Sequence, residues 1–184
     1  MNQRKPAYSR QGKIKTQLTQ EDFEHITAGI KKKKHRCFAV LLYYTGVRVS
    51  ELLRAVKEDF TFNELSCSWN IGRRLKGGRE TAPLVLSLEL PFMREVERFI
   101  KTRRNESRPF MFGRHTAWVL LKDNYGAYPH YFRLNRITSF LRQGFTLPEV
   151  MSWTGHKSVS SLDSYIGAVS VERLSNSLLG EKKK

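Results

Sequence analysis

Cys37-Phe38-Ala39-Val40-Leu41-Leu42 runs on into Tyr43-Tyr44, so a helix drawn over residues 35–44 is apolar almost all the way round. A helix without a polar face must be covered from every side, and this one is expected at the centre of a single core. The neighbouring patterns can supply that cover. Thr19-Gln20-Glu21-Asp22 has the form of a helix start, with Thr19 as N-cap and acids in the first turn. Phe23, Ile26 and Ile30 give that helix one apolar face, and Lys31–Lys34 is expected to close it where the macrodipole favours cations. After the apolar segment, Thr45-Gly46 breaks the pattern and a third helix is expected from Arg48 to about Val56.

The middle of the chain changes period. Residues 66–72 and 81–88 are short β-leaning runs on either side of Arg73-Arg74-Leu75-Lys76-Gly77-Gly78-Arg79-Glu80, which reads as an antiparallel hairpin or small sheet. Helical patterning returns from Pro91 to about Arg103, then at His130–Gln143, Leu147–Thr154, Val159–Tyr165 and Val171–Leu179, with Gly144 as a C-terminal cap. The expected fold class is mainly α with one small antiparallel sheet, an α+β arrangement. Residues 1–17 hold five Lys and Arg and no acid, and read as a flexible basic arm ahead of one domain over 18–184.

Charge narrows the partner. The 184 residues carry 33 Lys and Arg against 17 Asp and Glu, a formal net charge of +16. Such a surplus calls for a polyanion, either nucleic acid or an anionic membrane surface. No apolar run approaches the roughly 18–20 residues of a membrane-spanning helix. The start of the chain lacks the apolar segment of a secretory signal. Cys37 and Cys67 are too few and too far apart for a disulfide framework and suit reduced, buried positions in an intracellular protein. Nucleic acid is the expected partner, with no membrane role.

Several polar residues stand out, although each has an ordinary explanation. Arg48 enters a helix directly after a glycine turn among core residues, where a salt bridge to Glu51 or a carbonyl contact would satisfy it. His130 and Arg133 share a helix face and could be a surface pair. His156, after Gly155, could be a cap, and Tyr165 a half-buried core residue.

Their order removes the ambiguity. Thr45-Gly46-Val47-Arg48-Val49-Ser50-Glu51-Leu52, then His130-x-x-Arg133, then Gly155-His156, then Tyr165 resembles the tyrosine recombinase (phage integrase) family over residues 18–179. The resemblance implies the catalytic-domain fold of that family and a set made of Arg48, Lys76, His130, Arg133, His156 and Tyr165. Lys76 takes the place of the family's lysine on a β-hairpin turn. Tyr165 would attack a DNA phosphate and form a covalent 3′-phosphotyrosine with a free 5′-hydroxyl, conserving the bond for rejoining. Arg48 and Arg133 would clamp the non-bridging oxygens in planar forks. His130 would help deprotonate the tyrosine, His156 would donate a hydrogen bond to the phosphate, and Lys76 would protonate the leaving oxygen. With cations at the phosphate, no metal ion is implied. No acidic cluster is spaced to hold one, and no Walker-type loop suggests a nucleotide cofactor.

Beyond the site, Arg73, Arg74, Arg79, Arg136 and Arg142 are candidates for a salt-dependent grip on double-stranded DNA. The resemblance implies a homo-tetramer on two DNA sites. The helix expected at 170–179, with its charged tail to 184, would dock either on a neighbour or on its own core. A location on DNA in a prokaryotic cytoplasm or nucleoid follows, or an origin in a virus. Related readings are a relaxing enzyme of the type IB topoisomerase kind and a non-catalytic regulator. Three departures from the family pattern matter. Leu134-Asn135-Arg136 follows Arg133 where the family has His and a small hydroxyl residue. Ser152-Trp153-Thr154 stands where an aliphatic pair is usual, with Trp153 expected to serve packing. Only about 17 residues precede the domain, where most relatives carry a separate DNA-clamping domain.

Overall fold

The computed structural model describes residues 18–71, 83–156, 158–163, 165–167 and 169. The apolar segment forms α2 (Lys33–Thr45), with residues 37–42, Tyr44 and Thr45 buried. It packs against α1 (Gln20–Ala28), α3 (Val49–Leu52), α4 (Met93–Lys101) and α6 (Pro129–Gln143), the central position that its missing polar face demands. Aromatic rings fill the joints: Phe23 of α1 stacks on Tyr43 with centroids 3.7 Å apart, and Phe38 meets Phe110 and Phe112 edge to face. Both cysteines are buried and unpaired with each other.

The sheet is antiparallel, in the order β1 (Phe60–Phe62), β2 (Ser66–Trp69), β3 (Leu84–Ser87). Cys67 is paired with Leu86 and Phe60 with Trp69, so alternate residues face the core. The β2–β3 pairing agrees with the expected hairpin. Its connecting residues 72–82, with Arg73, Arg74, Lys76 and Arg79, lie outside the described residues, as do 1–17 and 170–184. Tyr165 lies in a second, smaller core with Ile137, Leu141, Val150, Leu162 and Val169, built between α6 and α7 (Leu147–Thr154). No helix among the described residues is long and apolar enough to cross a membrane.

Four details differ from the sequence reading. Helix α1 stops at Ala28, and Lys33 and Lys34 open α2 instead of closing α1. Gly29 ends α1, Ile30 turns into the core, and Arg36 holds that turn by donating to the Ile30 carbonyl at 2.9 Å. Helix α3 is a short turn, followed by a 3-10 turn at Lys57–Asp59 in which Asp59 accepts from the Val56 amide. The segment expected as a helix from Val159 opens as a 3-10 turn, Val159–Leu162, and is helical at 163 and 165–167. Strand β1 and helix α5 (Arg114–Tyr125) had no sequence counterpart. The buried Ala117, Leu120, Leu121 and Tyr125 of α5 share a face, but Trp118 and Val119 outside it blur the stripe.

Candidate active site

A glycine turn helps to bring the polar residues together. At the end of α2, Gly46 takes φ 64°, and a Cβ there would lie 2.8 Å from Cβ of Arg136. Only glycine fits so close to α6, and this contact sets the turn that delivers Arg48. The Arg48 amide then donates to Glu51 Oε2 at 2.6 Å and its Nη1 to Glu51 Oε1 at 2.8 Å. The expected ion pair is therefore present, but Glu51 is buried while the Arg48 side chain keeps 49% exposure. Glu51 thus aims the guanidinium without enclosing it.

Arg133 is 2% exposed. Its Nη1 donates to the Gly46 carbonyl at 3.1 Å and its Nη2 to the Thr154 carbonyl at 2.6 Å. Carbonyl partners fix the side chain and leave its charge intact. Burial, then Arg48, brings the guanidinium down to about 10, still charged at neutral pH. With five N–H donors, of which one on Nη1 and one on Nη2 go to these carbonyls, it retains donors for an anion.

His130, one residue into α6 after Pro129, places Nε2 3.3 Å from the Tyr165 hydroxyl. Burial, then Arg133 and Arg48, lowers its pKa from the ordinary histidine value, which favours the neutral ring. Tyr165 is 6% exposed; burial raises its phenol, while Arg133 and Arg48 pull the other way. A phenol beside a neutral imidazole and two guanidiniums is the arrangement that general-base activation needs, and such contacts are often loose before substrate arrives. His156 sits against Arg133 and accepts or donates at 2.6 Å to the Thr154 hydroxyl. Burial, then Arg133, Arg48 and His130, brings it down to about 4.

A cleft of about 200 Å³ lies beside this group, lined by Val47–Ser50, Arg114, Pro129, His130 and Arg133 but not by Tyr165 or His156. It has three arginines and a histidine on its walls and no acid. Five of the six expected site residues are thus described. Arg48, Arg133, His130, His156 and Tyr165 converge, and Lys76 lies outside the described residues. Among the expected DNA contacts, Arg142 is half-buried in the last turn of α6. Arg136 is half-buried with its guanidinium 4.4 Å from the Phe140 ring. Sequence reasoning missed Arg114 and Thr154, and it read the Arg48–Glu51 pair only as an ordinary salt bridge. Trp153 packs as expected, donating from Nε1 to the Thr45 carbonyl at 2.8 Å and meeting Phe140 edge to face. Asn135, at a departure from the family pattern, is buried and binds the Leu18 amide at 3.2 Å, anchoring the approach to α1. Among the described residues no group of His, Cys, Asp and Glu could hold a metal ion.

Comparison with known proteins gives this geometry a lineage. The model of the phage integrase family matches residues 16–170. The tyrosine recombinase XerA of Pyrococcus horikoshii is 28% identical over 165 residues, covering 80% of this chain and 55% of that protein. The chain thus spans about half the length of that relative. Among solved structures, the XerH site-specific recombinase in a post-cleavage complex with palindromic difH has a TM-score of 0.74 at 15% identity, over 91% of this chain and 55% of that one. The XerA recombinase structure has a TM-score of 0.64 at 16% identity, over 97% and 67%. The structural likenesses establish the fold, and the family model, matching most of the sequence, places the chain in the phage integrase family of tyrosine recombinases.

Proposed function

We propose that this chain cuts and rejoins double-stranded DNA at a specific site, with Tyr165 as the nucleophile. The observation that carries the reading is the Tyr165 hydroxyl 3.3 Å from Nε2 of His130, beside a cleft walled by arginines. The Tyr165 oxygen forms a bond to phosphorus as its proton passes to His130. The bond from phosphorus to the 5′-oxygen breaks, and Lys76 supplies that oxygen with a proton. The product is a 3′-phosphotyrosine and a free 5′-hydroxyl, and the reverse attack by a 5′-hydroxyl reseals the strand. Arg48 and Arg133 hold the non-bridging oxygens as charge builds on them, the kind of preorganised stabilisation that supplies the largest share of such catalysis. His156 gives a further hydrogen bond to the phosphate. No metal or nucleotide takes part in this scheme.

The grip on DNA comes from phosphate contacts by Arg73, Arg74, Arg79, Arg136 and Arg142, supported by the net charge of +16. Likeness to a recombinase captured in a post-cleavage complex with its DNA supports this partner. Exchange between two duplexes calls for a homo-tetramer, with residues 170–179 as the contact between copies. The role is integration, excision or inversion of mobile or viral DNA inside a cell.

The test is a pool of duplexes with a randomised centre, each carrying one bridging 5′-phosphorothiolate. The wild-type chain should become covalently attached to a subset that shares a sequence, and Tyr165→Phe should form no adduct. An absence of adduct across the pool would reject the reading. An adduct without exchange between two duplexes would instead mark a relaxing enzyme.

A further inference from the structure

Thr154, the last residue of α7, is 3% exposed. Its Oγ1 lies 2.6 Å from the Val150 carbonyl oxygen and 2.6 Å from Nδ1 of His156. A hydroxyl has one proton, and a carbonyl can only accept. The proton therefore goes to Val150, and Oγ1 is left to accept from His156, which puts the ring hydrogen on Nδ1. Nε2 is then bare and stands 3.3 Å from Nη2 of Arg133, a group that can only donate. The same Nη2 is 3.4 Å from Nδ1, almost equidistant from the two ring nitrogens, so it is the Thr154 contacts that decide which of them can accept from it. Both ring nitrogens are thus engaged with the ring neutral.

We propose that Thr154 is a positioning residue that fixes neutral His156 with its hydrogen on Nδ1, so that this histidine donates to a DNA phosphate only after taking up a proton from solvent. The proton-uptake half rests on the cleft being a phosphodiester site; the hydrogen placement does not. The groups that face the ring are Arg133 and His130 on α6 and Arg48 ahead of α3, and all three oppose a positive charge on it. A phosphodiester held by the same arginines supplies the negative charge that admits the proton. On proton uptake Nε2 gains a hydrogen, lets go of Arg133 and turns from acceptor into donor. The Arg133 hydrogen that faced Nε2 is freed at the same step, while the Gly46 and Thr154 carbonyls keep the side chain in place. A Thr154 that merely back-bonded to its own helix would leave the ring chemistry untouched.

The experiment compares the full chain with Thr154→Val, which keeps the shape and loses the hydroxyl, and with Thr154→Ser, which keeps the hydroxyl. Nitrogen-15 spectra of the histidine rings, recorded without DNA and assigned by loss of signal in His156→Gln, should show the hydrogen on Nδ1 in the wild type and Thr154→Ser. Thr154→Val should show a mixture or the Nε2–H form. Single-turnover adduct formation on a duplex from the selected pool is then followed against pH. The ratio of wild-type to Thr154→Val rates should fall by about tenfold per pH unit once His156 loses its proton in the complex, with Thr154→Ser tracking the wild type. A wild-type ring carrying its hydrogen on Nε2 would overturn the proposal. So would a Thr154→Val chain with unchanged spectra and an unchanged pH profile. A wild type that forms no adduct removes the proton-uptake half along with the DNA reading, and the spectra still decide whether Thr154 places the hydrogen.

Discussion

Replacing Gly46 by alanine should damage both fold and site, by an amount that can be separated into two causes. The residue sits at φ 64°, and a β-carbon in that region costs about 1–2 kcal/mol. The new Cβ would also lie 2.8 Å from Cβ and 3.1 Å from Cγ of Arg136. A Cβ cannot swing away as a side-chain tip can, so the α2 turn and α6 must part. Overpacking of this kind costs a further 1–3 kcal/mol or so. Gly144 is the control, because it has φ 92° and a Cβ added to it would meet nothing within 4 Å, so it should show the backbone cost alone. Urea unfolding should therefore place Gly46→Ala about 1–3 kcal/mol below Gly144→Ala, both measured against the wild type. Parting the two helices also moves the Gly46 carbonyl that holds Arg133, so adduct formation should fall in Gly46→Ala and persist in Gly144→Ala. Equal stabilities for the two variants would refute the claim that the close approach to α6 fixes this turn.

Two further outcomes follow from the chemistry. Lys76→Ala should cleave an ordinary phosphodiester poorly, by about 100-fold or more, yet cleave a bridging 5′-phosphorothiolate at near the wild-type rate, because a thiolate leaves without a proton; an equal loss on both substrates would rule out Lys76 as the acid. Acid should weaken the fold through His156, which stands at about 4 in the fold against 6.5 for the free side chain. Above 6.5 the ring is neutral in both states; between 6.5 and 4 the unfolded chain binds a proton that the fold refuses, so stability falls as pH falls through that window. Allowing for the ring's partial exposure, the loss is about 1–2 kcal/mol. Urea midpoints should therefore fall more steeply with acid in the wild type than in His156→Gln, and parallel curves would contradict the depressed value.

The parts of this molecule that could be read from sequence are those whose cause is local. Helix α2 was legible because its apolar character on every side leaves it one place to go, and Leu147–Thr154 matched its expected limits. The order of Arg48, His130, Arg133, His156 and Tyr165 was legible because the residue types and intervals travel together. What could not be read depends on distant partners. Arg133 is satisfied by carbonyls of Gly46 and Thr154, 87 and 21 residues away, which no pattern announces. Arg114 joins the cleft only because α5 packs against both α3 and α6. The preference of cations for helix ends misplaces Lys31–Lys34, because it takes no account of the Arg36 contact that ends the turn elsewhere. In sequence Thr154 is an irregular substitution; in the fold its hydroxyl lies between a carbonyl and an imidazole.

The division into two cores has a consequence for how the candidate nucleophile is held in readiness. Arg48 is borne by the large core around α2, whereas Tyr165 belongs to the small cluster of Ile137, Leu141, Val150, Leu162 and Val169. A cluster of that size opens at a lower free energy than the body it leans on. Loosening that unit would move Tyr165 together with the Thr154 carbonyl that holds Arg133, while Arg48 stays tied to the buried Glu51. The position of Tyr165 is then governed by a local equilibrium of the small core.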